Sequence, residues 1–166
     1  MEPTFTETQK FNKWWHYLLA GLPFILMVIA FVLVQFEMVA TKDGQKDPAL
    51  FICLVTLCFI FLMWFVLLTL KTNIGKNGIN ANFRGIPFCK RTITWEEIQS
   101  ISLITYSPLS DYGGWGVRYS MSGNGWCYNV SGKDGIRIIY KNGKSFLIGT
   151  QQKEEAEKII NFYKQT

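Results

Sequence analysis

The residues able to do chemistry are few. His16 is the sole histidine, so Ser-His and Cys-His catalysis has no base elsewhere in the chain. Cys53, Cys58, Cys89 and Cys127 form no CxxC pair. Zinc needs four closely grouped ligands, so these thiols read as small buried hydrophobes in a reducing compartment. Glu96, Glu97, Asp111 and Asp134 fall in loops or short turns, where nothing in the sequence would perturb a carboxyl for acid–base work. Gly113–Gly114–Trp115–Gly116 leads into a strand and no Gly-Lys-Ser/Thr follows, so it matches neither nucleotide fingerprint. The expectation is a non-enzymatic chain with no catalytic residue, no metal and no cofactor.

Two sets of side chains are better suited to binding. Lys71, Lys76, Arg84, Lys90 and Arg91 are five cations close together in sequence, suited to contact with an anionic surface. Trp115, Arg118 and Trp126 lie beside Gly-rich loops. They would form a ligand or partner pocket, or the two tryptophans would fill the core instead.

What must position these groups is read from charge spacing. The chain has 166 residues, 49% apolar and only 17% charged, with net charge +5 and 26 aromatics; this balance excludes disorder. Trp14 to Phe36 and Pro48 to Leu70 are 23-residue windows without a formal charge. As helices each would reach ~35 Å, enough for a bilayer core. The connection from Glu37 to Asp47 has 11 residues, which makes the helices antiparallel neighbours. Lys10, Lys13, Lys71, Lys76, Arg84, Lys90 and Arg91 flank one side, against Lys42 and Lys46 on the other. The positive-inside rule then places both termini in the cytoplasm. Trp14, Trp15 and Tyr17 would form an interfacial belt, His16 and Gln35 would lie at headgroup level, and Pro23 would kink the first helix.

From Lys71 onward there are 13 basic and 7 acidic residues. Turn signals recur every 8–12 residues, as in an all-β sandwich or barrel. Strands are expected at Leu70–Gly75, around Ile79–Phe83, at Phe88–Ile93, Ser100–Tyr106, Trp115–Ser120 and Trp126–Val130, and from Ile136 to Ile148 across the Lys141–Asn142–Gly143–Lys144 turn. Lys76–Asn77–Gly78 is a second tight turn. Thr94 and Glu97 have capping-box spacing for one helical turn, and Pro108 to Gly114 reads as a loop. Ala156, Ile159, Ile160 and Tyr163 mark one face of a final helix, with Thr150 as its N-cap.

This order resembles a pleckstrin-homology-like (PH-like) domain. More narrowly, it is similar to bacterial membrane-anchored PH-like proteins with a transmembrane hairpin ahead of the domain. The resemblance rests on Gly113–Arg118, Trp126–Gly132, Gly135–Ile136, the Lys141–Lys144 turn and Ile148–Thr150. It implies a membrane protein: a two-helix transmembrane hairpin followed by a PH-like β-barrel of about seven antiparallel strands, capped by a C-terminal α-helix. The segments would be 1–13 cytoplasmic, 14–36 and 48–70 transmembrane, 37–47 an extracytoplasmic loop, and 71–166 the cytoplasmic PH-like domain. Phosphoinositide-binding PH domains carry a Lys/Arg-x-Arg element on the second strand. Here that place reads Asn82–Phe83–Arg84, with one cation missing.

The expected function is therefore a protein-interaction or assembly module at the bacterial inner (cytoplasmic) membrane, multi-pass, in integral contact with lipids. One alternative is anionic-lipid or small-ligand binding by the barrel. Another is an oligomeric channel or transport accessory, since the resemblance implies homo-oligomers. Nucleic acid is not an expected partner, because the anchor would hold the basic surface beside a bilayer.

Overall fold

The computed structural model describes residues 2–12, 14–35 and 48–164. The chain divides into two compact units. One joins the segment ending at Lys10 to the chain from Leu68 onward, and the other is Phe11–Leu67.

In the second unit the apolar runs form helices α1 (Trp14–Gln35) and α2 (Pro48–Leu67), which pack on each other. Both leave large apolar side chains exposed, among them Leu22, Ile25 and Leu26 on α1 and Leu57, Phe59 and Ile60 on α2. Among the described residues, no helix is long and apolar enough to cross a membrane. This overturns the expected transmembrane hairpin, and with it the multi-pass inner-membrane location. An uncharged run specifies a helix and its apolar surface but not what covers that surface. The 37–47 connection lies outside the described residues, with Lys13, Lys42 and Lys46, as do the side chains of Trp15, His16, Pro23 and Gln35.

The first unit is two sheets. Strands β1 (Phe5–Lys10), β2 (Thr69–Gly75), β3 (Gly78–Arg84) and β4 (Lys90–Ile93) form an antiparallel sheet in that order. Strands β5 (Ile98–Thr105), β6 (Gly116–Ser120), β7 (Gly125–Asn129), β8 (Asp134–Tyr140) and β9 (Ser145–Thr150) form the second, ordered β5-β8-β9-β7-β6, with β7 and β9 parallel. Helices α3 (Pro108–Tyr112) and α4 (Lys153–Lys164) complete the unit, α4 packing against β1 and β2. The expected seven-stranded barrel is thus corrected, among the described residues, to nine strands in two sheets, with an extra short helix where a loop was expected.

The strand at Phe5–Lys10 escapes pattern reading because its inward residues are Phe5, Glu7 and Gln9, two of them polar. The strand expected from Phe88 starts instead at Lys90. Phe88 has φ +62°, a left-handed conformation outside the extended region, and its side chain is fully exposed.

Between the sheets lies a core that includes Leu70, Ile74, Ile79, Phe83, Ile136, Ile138 and Ile148. Phe83 meets Tyr128 edge-on at 6.1 Å, and Tyr128 meets Phe146 at 4.9 Å. On the other face of the second sheet Tyr106, Tyr112, Cys127 and Leu147 form a separate small cluster. The Lys76–Asn77–Gly78 turn is tight: a Cβ on Gly78 (φ +113°) would lie 2.1 Å from the Ile93 carbonyl oxygen.

Candidate functional site

Strand register sorts the cations by face. Cross-strand partners point to the same side and successive residues alternate. In the first sheet Leu70, Thr72, Ile74, Ile79, Ala81 and Phe83 point inward and are buried. Their neighbours point outward in three rows. One row runs Thr8, Lys71, Asn82, Lys90 across all four strands, and the next runs Lys10, Thr69, Arg84. The third is Thr6, Asn73, Asn80, Thr92, where Asn80 Nδ2 donates to Thr92 Oγ1 at 3.1 Å. These eleven positions carry four cations, otherwise Thr and Asn, and no carboxylate. Lys10, Lys71, Arg84 and Lys90 are all exposed. With strands ~4.8 Å apart, Lys71 and Lys90 attach roughly 10 Å from each other.

The remaining two of the five expected surface cations fall elsewhere. Lys76, at the far turn, is ion-paired to Glu2 at 2.8 Å, which favours its charged form. Arg91 is the cross-strand partner of Ala81 and so points to the inner side of the sheet. There its positive charge acts on the Tyr128 and Tyr140 phenols, opposing the rise that burial causes.

Trp115, Arg118 and Trp126 do not form one pocket. Arg118 is opposite Cys127, whereas Trp126 is opposite Tyr119 one residue away, so Arg118 and Trp126 lie on opposite faces of the second sheet. Arg118 Nε donates to the Trp115 carbonyl at 2.9 Å, an internal bond of the Gly-rich loop. Trp126 is 43% exposed and meets Tyr119 edge-on at 5.3 Å. Neither expectation for the tryptophans, a shared pocket or a shared core, describes this arrangement.

Sequence reasoning also missed a buried polar seam. Thr150 Oγ1 donates to Glu7 Oε2 at 2.7 Å and the Gln151 N–H donates to Glu7 Oε1 at 2.8 Å. Gln9 Nε2 donates to the Gly149 carbonyl at 2.7 Å. Thr150 also accepts the Gln152 N–H at 3.1 Å, so it holds the turn ahead of α4 rather than capping the helix, which begins at Lys153. Burial raises the Glu7 carboxyl above its ordinary range despite the bonds that favour its charge. Asn129 Nδ2 donates to the Tyr106 hydroxyl at 2.9 Å and its Oδ1 accepts the Gly116 N–H at 2.8 Å. These bonds tie β1 to β9, and β7 to β6 and the end of β5, while the buried Gln9 Oε1 has no hydrogen-bond partner among the described residues.

Among the described residues, no three or more His, Cys, Asp or Glu side chains come together as a metal site. No protein-family model, curated protein or solved structure matches the chain.

Proposed function

We propose that the chain is a non-enzymatic protein-interaction module that recognises an acidic segment of a partner protein on the outer face of its first sheet. The observation that carries this reading is the three-row array: four cations, intervening Thr and Asn hydrogen-bonding groups, and no carboxylate. Such a face attracts anionic partners at long range and can bond carboxylates at close range. The unit is held rigid beneath it by the core, so the cations are presented by strands rather than by mobile loops.

The test is titration of the full chain with a short oligoglutamate peptide. Reversing Lys71 and Lys90 together (Lys71→Glu, Lys90→Glu) is expected to weaken binding about tenfold or more, since each position turns attraction into repulsion. Lys141→Glu, on the β8–β9 turn, should leave affinity within twofold. Equal affinity for all three proteins overturns the assignment of the face. Retention on anionic vesicles without any binding of the peptide overturns the choice of an acidic protein as partner.

A further inference from the structure

The inner side of the two sheets opens at one edge into a cleft of ≈ 320 Å³, near the lower bound of small-ligand sites. Arg91 enters from β4, Trp126 from β7, Tyr140 from β8, and Lys144 and Ser145 from the turn and start of β9. Two cations and a half-exposed indole therefore line one partly enclosed space. Glu97 also lines the cleft, but its Oε2 already accepts the Thr94 N–H at 2.9 Å and the Thr94 hydroxyl at 3.3 Å. Among the described residues neither Arg91 nor Lys144 forms an ion pair, in contrast to Lys76 and Lys153, which pair with Glu2 and Asp134.

The cleft is built before any ligand arrives. Asn142 Oδ1 accepts the Lys144 N–H at 3.0 Å and the Tyr140 N–H donates to the Lys144 carbonyl at 2.9 Å, so the turn carrying Lys144 is fixed. Gly125 (φ +76°) allows β7 to approach β9 closely; a Cβ there would lie 2.0 Å from the Ser145 carbonyl oxygen.

We propose that this cleft is a second binding site, separate from the outer face, for a small organic anion with a flat apolar body. The anionic head would sit between the Arg91 guanidinium and the Lys144 ammonium. The ring would lie on the Trp126 indole. A guanidinium and an ammonium together favour a carboxylate or a phosphate head, and an indole face favours an aromatic body over an alkyl chain.

Phenyl phosphate and benzoate are the probes, with benzyl alcohol as the uncharged counterpart, followed through the Trp126 indole N–H resonance of the full chain. At least one anion is expected to shift that resonance to saturation, and benzyl alcohol not to. Arg91→Gln and Lys144→Gln should each weaken binding about tenfold. Lys76→Gln, a control, should not. Thermal unfolding of both glutamine variants is expected to match the parent, because the two side chains are exposed. Absence of saturation with both anions, equal response to benzyl alcohol, or unchanged affinity in well-folded Arg91→Gln and Lys144→Gln overturns the site.

Discussion

Burial makes the charge of Glu7 costly to keep. Its two carboxylate oxygens serve the Thr150 hydroxyl and the Gln151 N–H inside the first unit. Glu7→Ala leaves both donors without their acceptor and is expected to destabilise the chain by about 2 kcal/mol in urea unfolding. The pH dependence has a definite sign. The folded-state carboxyl is raised above its ordinary 4.5. Between the two values the folded chain holds more proton than the unfolded one. This residue's contribution to stability is therefore full below 4.5 and declines as pH rises through the raised value. Glu7→Gln should flatten that slope. Cys127 makes an independent prediction. It is fully buried, and burial pushes its thiol pKa up, away from the reactive thiolate. A maleimide should label Cys127 only when the unit unfolds; rapid labelling under native conditions would mean this face of the sheet opens. Cys127 as a small buried hydrophobe was legible in the sequence; the role of Glu7 was not. Glu7 sits in a short segment without apolar alternation, and its partners are 143 and 144 residues away.

At the scale of elements, strand-forming segments were legible wherever apolar residues alternate or turn residues intervene. The Ile79–Ala81–Phe83 series, the Lys76–Gly78 and Lys141–Lys144 turns, the Trp95–Glu97 helical turn and the apolar face of α4 all follow from local chemistry. Their assembly did not. Whether β1 joins β2 across the intervening helices is a matter of tertiary pairing, and the Phe5–Gln9 pattern gives no local clue to it. The link between β3 and β4 shows the same limit. Its apolar Phe88 reads as a strand residue, yet the backbone there is left-handed and the ring contacts solvent alone. Phe88→Gly should raise stability by about 1 kcal/mol, because glycine adopts that conformation without the steric cost and no packing is lost. A loss of stability instead would show that the ring does pack.

Across the whole molecule, net charge only counts an excess of cations, whereas register decides which of them share a face. The five residues Lys71, Lys76, Arg84, Lys90 and Arg91 are near neighbours in sequence and serve three different places. Three belong to the outer face with Lys10, one is paired to Glu2 at the far turn, and one points inward to the cleft. Lys90 and Arg91 are adjacent, so strand alternation alone sends them to opposite sides. That parity was available in the sequence once β4 was placed. Lys10 was not, because nothing local ties the N-terminal segment to this sheet. The same parity argument separates Arg118 from Trp126 and joins Trp126 to Arg91 instead. The two uncharged windows fold as the α1–α2 pair within the Phe11–Leu67 unit, but length and hydropathy alone did not establish a membrane span.

The most direct measurement is amide chemical-shift mapping of the full chain during titration with oligoglutamate, repeated at high salt. The perturbations should concentrate along the Thr8, Lys71, Asn82, Lys90 row and its Lys10–Arg84 neighbour, and they should fade as salt rises. Shifts confined to the second sheet or to the apolar helices, or shifts indifferent to salt, would contradict recognition by the cationic face.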